Sequence, residues 1–213
     1  MAINNRDKQR TRVVYVPVNT GGGSGGGSQE KIKVGENGIK FGDSTFTEVP
    51  DVFDFSDVTD MRYMFLYCSN LTTIPKIDTS KVTTMEYMFQ NCSSLTNIPE
   101  MDTSQVTTMK YTFNGCSSLT SVPEMNTSNV TDMRYMFSRC EKITDLGGFV
   151  GLKCELDLSD SSLITHDSIM NVINKAADVT ASPAILILGS TNLAKLSDEE
   201  KAIATSKGWR LVN

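Results

Sequence analysis

The sequence predicts an α/β solenoid, a chain of short repeats stacked along one axis. Three observations support this: residues recur at a fixed interval, most of the recurring residues are apolar, and polar turn residues separate them. The interval is 24 residues, and its most regular members are Cys68, Cys92, Cys116, Cys140, Phe65, Phe89, Phe113 and Phe137. Apolar positions that keep such a period indicate stacked units that together bury one continuous core. We therefore expect these eight side chains to form a structural core ladder across residues 46–150.

Within one repeat, the apolar spacing predicts a short helix followed by a short strand. Val82, Met85, Phe89 and Cys92 follow one another at intervals of three, four and three residues, which is one face of a helix. Ser, Thr and Asp residues precede this segment and could cap it. The segment 93–99 is too short for another helix and predicts a strand. Parallel strands from successive repeats would then form one sheet.

Both flanks of the array predict caps. Residues 29–45 contain two β-prone segments around Asn37 and Gly38, which favours an N-terminal hairpin cap. Residues 151–213 predict a small C-terminal α/β cap. Its elements are a strand at 156–158, an amphipathic helix at 165–177, a strand at 184–188, a helix opened by Ser197 and a strand at 209–212.

The N-terminal segment predicts a tethered arm. Residues 1–20 form the arm and residues 21–28, reading GGGSGGGS, form a flexible tether, either native or an engineered linker. The arm combines basic residues with a β-prone stretch that could add to the edge of a partner sheet. The candidate anchoring residues are Arg6, Lys8, Arg10, Arg12, Val14, Tyr15 and Val16.

Composition argues against several classes of function. The formal net charge is −5, whereas a nucleic-acid binder normally has a strongly basic face. No run of 18 apolar residues predicts a membrane span, and the polar N-terminus does not have the pattern of a secretory signal. We expect neither nucleic-acid binding nor membrane insertion.

Catalytic and metal-binding motifs do not occur. The one histidine, His166, begins a predicted helix, and the cysteines do not form CxxC or CxxH pairs. Aspartates such as Asp54, Asp78 and Asp102 lie in turns, where they typically cap backbone N–H groups. The cysteines favour buried thiols, although disulfides between stacked repeats are geometrically conceivable. We expect no enzyme activity, no cofactor and no metal.

The repeat itself resembles that of a known family. The pattern Val-Thr-Thr-Met-x-Tyr-Met-Phe-x-x-Cys-Ser-Ser-Leu-Thr-x-Ile-Pro is similar to the leucine-rich repeat of BspA-like surface proteins, and it covers about half of the chain. This resemblance implies a leucine-rich-repeat solenoid that acts as a surface-displayed binding module of bacteria or of their bacteriophages.

Positions that vary between repeats are the candidate contact residues, because the core does not explain their identity. The candidates for partner binding are Arg62, Tyr67, Glu86, Lys110, Arg134 and Arg139. Tyr67 and Arg139 are favoured, since Tyr and Arg are over-represented at interface hot spots. The alternative is that these positions form an ordinary solvated surface.

The combined expectation is a structural and adhesive protein on the surface of a phage virion, as a fibre or decoration protein present in many copies. The arm would bind other structural proteins of the particle, and the repeats would bind a bacterial surface protein or glycan. The alternatives are a bacterial adhesin, secreted or anchored at the cell surface, that binds host protein or glycan, and an intracellular interaction scaffold.

Overall fold

The computed structural model describes residues 32–36, 38–41 and 47–213. The described chain is mixed α/β, with many short parallel strands and three helices near its C-terminus. The strands are β1 (Ile32–Lys33), β2 (Phe53–Asp54), β3 (Ser121–Val122), β4 (Met125–Asn126), β5 (Asp145–Leu146), β6 (Phe149–Val150), β7 (Leu156–Asp157), β8 (Ile185–Ile187) and β9 (Arg210–Val212). The helices are α1 (His166–Lys175), α2 (Gly189–Leu193) and α3 (Asp198–Ser206).

The strand pairing follows the sequence period. Strand β3 pairs in parallel with β5, and Ser121 lies opposite Asp145, its equivalent in the next repeat. Strands β4 and β6 pair in the same way, with Met125 opposite Phe149. Isolated parallel bridges continue this register through the earlier repeats, from Asp60 to Thr84, from Thr84 to Thr108 and from Thr108 to Asp132. Successive repeats therefore lie on one another with equivalent residues aligned.

The core runs through the stack as columns of identical residues. Phe65, Phe89, Phe113 and Phe137 are each at most 1 % exposed. Their rings stack face to face, with centroids 5.2 to 5.7 Å apart. The four repeated cysteines are 0 % exposed and form a second column. This packing explains why these positions do not vary between repeats.

The predicted helix within each repeat is wrong. No helix occurs between residues 47 and 165, and the segment from Met85 to Cys92 forms consecutive tight turns. The apolar spacing of three, four and three residues suits such turns as well as a helix. Contacts with the next repeat favour the turns over a helix, because every second N–H of the segment donates to a carbonyl of the next repeat and not to a carbonyl within its own repeat.

The predicted N-terminal hairpin is also wrong. Strand β1 pairs in parallel with β2, and the N–H of Phe41 donates to the carbonyl of Met64 at 2.8 Å. Both described segments therefore extend the stack of repeats in the parallel sense. This arrangement buries Val34 and Phe41 in the common core, which an isolated hairpin could not do.

The C-terminal elements agree with the expected α/β unit. The predicted helices are present as α1 and α3, and the predicted strands as β7, β8 and β9, which form one parallel sheet in the order β7-β8-β9. Ser197 begins α3 with a capping box that includes Glu200. The short helix α2 is an addition that the sequence pattern did not predict.

Candidate binding surface on the repeats

The turn segment of each repeat alternates between two kinds of hydrogen bond. In the second repeat, the N–H groups of Tyr87 and Asn91 donate to the carbonyls of Lys110 and Asn114 in the third repeat, at 3.0 and 2.7 Å. The N–H groups in between close tight turns; that of Gln90, for example, donates to the carbonyl of Tyr87. This alternation directs Met and Phe side chains inward and leaves four side chains per repeat outside the core, among them the two at the third position of each turn.

These turns hold several bulky residues in a left-handed backbone conformation. The seven described non-glycine residues with positive φ are Tyr63, Tyr67, Tyr87, Asn91, Tyr111, Tyr135 and Arg139, with φ between 57° and 63°. Each is the third residue of a turn. This conformation costs a residue with a Cβ about 1–2 kcal/mol. Such a cost at repeated positions requires a compensating interaction or a function.

One set of these residues forms a ladder of stacked tyrosines on the surface. The ring centroids of Tyr63 and Tyr87 are 5.0 Å apart, and the next two steps, to Tyr111 and then Tyr135, are each 4.8 Å. The Lys40 ammonium lies over the first ring, 4.6 Å from its centroid. Stacked aromatic pairs contribute about 0.5–1.5 kcal/mol each. The stacking therefore offsets much of the backbone cost along this tyrosine ladder.

A second set lies four residues further on, at the corner of each repeat, and consists of Tyr67, Asn91, Gly115 and Arg139. Tyr67 is 55 % exposed, and in the part of the chain described its ring contacts no other ring or cation. Beside it lies a shallow depression that Ser69, Asn91 and Ser93 complete. Gly115 also has a positive φ, and a Cβ there would lie 2.3 Å from Asn91 Oδ1. We call these four residues the corner row.

Two of the charged candidate residues, Arg62 and Arg134, form ion pairs within the protein. Arg62 forms an ion pair with Asp60 at 2.6 Å, and Arg134 forms one with Asp132 at 2.7 Å. Bonding to the Arg134 guanidinium lowers the pKa of Asp132 below its ordinary value. The charge of each of these two arginines is therefore largely satisfied inside its own repeat.

Glu86 and Lys110, which occupy the position of Arg62 and Arg134 in the intervening repeats, also contact neighbours. The Thr108 hydroxyl donates to Glu86 Oε1 at 3.1 Å, and the Lys110 ammonium lies 5.5 Å from the Tyr111 ring centroid. These contacts join one repeat to the next or brace the tyrosine ladder. Glu86 and Lys110 thus have structural contacts in addition to any role in binding.

Arg139 differs from the other repeat arginines. Its backbone N–H donates to Asp160 Oδ2 at 2.8 Å, and the neighbouring Ser138 hydroxyl donates to the same oxygen at 3.1 Å. The guanidinium has no ion-pair partner among the described residues. An exposed, unpaired guanidinium at the end of the repeats can donate hydrogen bonds to a ligand.

One comparison identifies the family. The family described as "Mycoplasma protein of unknown function, DUF285" has a model that matches residues 39–148, about half of the chain. The chain belongs to the DUF285 family. This match is compatible with the resemblance to BspA-like repeat proteins. No curated protein and no solved structure shows significant similarity to the chain.

Within the DUF285 repeats, the tyrosine ladder is the feature that sequence reasoning missed. The 24-residue period also includes Tyr63, Tyr87, Tyr111 and Tyr135, but the period alone does not indicate that their rings stack on one another. The available signal was a large aromatic residue that recurs outside the helical face formed by Met and Phe. By contrast, the candidate anchoring arm lies outside the described residues.

Outside the DUF285 match, His166 forms a polar cluster with Asp167 and Glu200. Its Nδ1 lies 3.1 Å from Asp167 Oδ1 and its Nε2 lies 2.9 Å from Glu200 Oε1, at the start of α1. These contacts join two helices on the surface. Among the described residues, no three His, Cys, Asp or Glu side chains converge in a way that could hold a metal ion. Nor is any described helix long and apolar enough to cross a bilayer.

The repeated thiols are poor nucleophiles in this structure. Burial raises the pKa of Cys92 and Cys116 well above the ordinary value, and raises the pKa of Cys140 to about 12. A thiol attacks as its thiolate, so these groups are unreactive near neutral pH. Their arrangement suits a role in the core.

Proposed function

We propose that this chain is a non-enzymatic structural and adhesive protein whose repeats form a leucine-rich-repeat-like solenoid. The aligned register, the parallel bridges and the continuous phenylalanine column support a solenoid, because each repeat contacts chiefly the repeats beside it. A solenoid presents an extended surface along its axis. The tyrosine ladder and the corner row together make such a surface here.

The observation that carries this proposal is the pair of large corner residues, Tyr67 and Arg139. Each has a positive φ, each is exposed, and neither side chain has an aromatic or ionic partner in the described part of the chain. The third repeat shows that glycine fits this backbone position. Backbone hydrogen bonds to the next repeat or to Asp160 impose this conformation, but they do not explain why large side chains occupy it. Strained residues of this kind cluster at functional sites. The two side chains are therefore best explained by contact with a ligand.

Replacing these two residues by glycine tests the proposal. Tyr67→Gly with Arg139→Gly relieves backbone strain, so we expect unchanged thermal stability or a gain of up to about 1 kcal/mol per site. We also expect at least a tenfold loss of binding. The measurement is flow cytometry of fluorescent protein on intact bacterial cells and on host epithelial cells. Lys76→Gly, at an exposed position outside this surface, is the matched control.

Either class of cell could carry the ligand, and the assay separates the two. Binding to bacteria favours a virion protein, whereas binding to host cells favours a bacterial adhesin. If the double variant binds as well as the unmodified chain does, the corner row is not the contact surface and the proposal fails.

We place the protein on a phage virion, anchored to structural proteins of the particle through residues 1–20. The arm supports this placement by its composition, since residues 1–12 hold four basic residues against one acidic residue. Many copies on one particle would make weak contacts of the repeats effective. The family description names Mycoplasma, which favours the alternative of an adhesin on a bacterial cell.

Removal of residues 1–28 tests the anchor. If the arm is the anchor, the shortened chain no longer associates with particles, while its circular dichroism spectrum and melting temperature match those of the full chain. Equal association of both chains would overturn the anchoring role and leave the repeats as the attachment site.

A further inference from the structure

The tyrosine ladder has one covered end and one open end. At the first end, Lys40 lies over the Tyr63 ring. At the last end, Tyr135 stacks on Tyr111 through one face, with an interplanar angle of 19°. No ring or cation among the described residues covers its second face, and Tyr135 is 52 % exposed. The ladder therefore ends in an accessible aromatic platform.

Polar groups lie on the same side of the last repeat as this open face. In earlier repeats, the corner N–H groups point toward the next repeat; that of Gly115, for instance, donates to the Ser138 carbonyl at 2.8 Å. The corner N–H of Arg139 points the same way but donates to the Asp160 carboxylate at 2.8 Å. Asp160 thus lies beyond the last repeat. The open face of Tyr135 points toward this same end of the stack.

Several hydrogen-bonding groups at this end have no protein partner in the described residues. Asp160 Oδ2 accepts two bonds, from Arg139 N–H and the Ser138 hydroxyl, whereas Oδ1 accepts none. The Arg139 guanidinium forms no ion pair with a described residue. The Tyr135 N–H likewise has no acceptor in the described part of the chain, although the equivalent N–H of Tyr111 donates to the carbonyl of Arg134 at 3.1 Å. The open end therefore offers an aromatic face together with both donors and an acceptor.

We propose that this open end of the ladder binds one neutral pyranose ring of a surface glycan. This inference rests on the proposed adhesive function and identifies its ligand class. The C–H face of the sugar packs on Tyr135, because partially positive hydrogens meet the negative face of the aromatic ring. Its rim hydroxyls accept from the Arg139 guanidinium and donate to Asp160 Oδ1.

The charges of the site favour a neutral ligand. Arg139 and Asp160 carry opposite charges, so together they give no net attraction for an anionic or a cationic ring, whereas each can bond to a neutral hydroxyl. An aromatic side chain of a peptide would use the Tyr135 face but would leave both polar groups without partners, which costs binding free energy when they are desolvated. Sugar hydroxyls satisfy both groups, since each hydroxyl donates and accepts.

The test uses small sugars so that only this end of the surface is probed. The probes are methyl glycosides of glucose, mannose and galactose, with N-acetylneuraminic acid and a tyrosine amide as charged and aromatic comparisons. Saturation-transfer NMR and titration of tyrosine ring resonances report binding to the full chain. We expect at least one neutral glycoside to bind and the two comparison compounds to bind at least tenfold more weakly.

Two variants test the assignment of residues. Tyr135→Asn and Arg139→Asn should each weaken neutral glycoside binding at least fivefold, because asparagine keeps the left-handed backbone, as Asn91 does. Lys76→Asn is the control and should leave binding unchanged, since Lys76 is exposed and lies outside the corner row and the tyrosine ladder. The melting temperature of each variant checks that the fold is intact.

The outcomes separate this inference from the proposed function. If the protein binds cells through Tyr67 and Arg139 but binds no neutral glycoside, or if both ladder-end variants bind glycosides normally, the glycan site is wrong and the adhesive function stands. If cell binding does not depend on the corner row, the adhesive proposal itself fails. Stronger binding of N-acetylneuraminic acid or of tyrosine amide also overturns the neutral-sugar assignment.

Discussion

At the scale of single residues, the repeated cysteine is more than a small apolar side chain. The Cys116 thiol donates to the carbonyl of Phe89 in the preceding repeat, with Sγ and O 3.1 Å apart, and Cys92 and Cys140 make the equivalent bond. The same carbonyl also accepts the N–H of Cys92. Each of these thiols therefore joins two repeats inside a core where water cannot substitute for a lost donor.

This role predicts a difference between two substitutions of Cys116. Cys116→Ala removes the donor and some packing volume, and we expect it to lower the free energy of unfolding by about 1–3 kcal/mol. Cys116→Ser keeps a donor and should be about 1 kcal/mol more stable than the alanine variant. Urea denaturation measures both values. Cys154→Ala, at a half-buried position outside the column, is the control. A Cys116→Ser variant with a lower free energy of unfolding than Cys116→Ala would contradict the prediction.

At the scale of elements, one ionisable contact joins α1 to α3. His166 lies at the start of α1 and contacts both Asp167 and, across to α3, Glu200. Two hydrogen bonds raise the pKa of His166 above its ordinary value, the larger contribution coming from Asp167 and the smaller from Glu200. The interhelical contact is consequently strongest when the imidazole is protonated.

The sign of this shift predicts how the contact responds to pH. A pKa that is higher in the folded than in the unfolded state stabilises the fold below the unfolded value, near 6.5, and this stabilisation is lost as pH rises through the folded value. We expect an NMR titration of this single histidine to give a pKa above about 6.5. Glu200→Gln should lower that pKa while keeping the capping box. An unchanged pKa in the variant would show that Glu200 does not act on His166.

At the scale of the whole molecule, the alignment of equivalent residues means that the number of repeats can change while the fold of each repeat stays the same. Each repeat pairs with the next at the same register. Cys92 and Cys116 are each followed by two serines, so the sequence is the same at both points. In such an array, stability is approximately a sum of repeat and nearest-neighbour terms. Loss of one complete repeat should then leave the rest of the structure intact.

Deletion of residues 93–116 tests this view. It removes one full period and joins Cys92 to Ser117, so we expect a cooperative unfolding transition with a smaller denaturant slope, in proportion to the surface buried. Deletion of residues 93–112 removes an incomplete period, breaks the core columns and should prevent cooperative unfolding. Equal behaviour of the two deletions would argue against a solenoid.

The sequence predicted the stack well and the local backbone poorly, for physical reasons that particular residues illustrate. The column of Phe65 and its equivalents is predictable, because burial constrains residue type at each period. The positive φ of Tyr87 is not, because tyrosine disfavours that conformation and hydrogen bonds to the next repeat impose it. For the corner row, Gly115 and Asn91 at one equivalent position indicate positive φ, since both residues tolerate it. The ladder position holds Tyr in all four repeats and gives no such signal.

The corner row has a consequence for engineering. Four different residues already occupy the same left-handed position, so the backbone there is determined by contacts between repeats and not by the residue itself. Randomising Tyr67, Asn91 and Arg139 would therefore diversify a line of side chains at the surface without rebuilding the scaffold, with Gly115 kept because a Cβ there would lie 2.3 Å from Asn91 Oδ1. Such a library would resemble an antibody repertoire in one respect, because recognition would change while the framework remains constant.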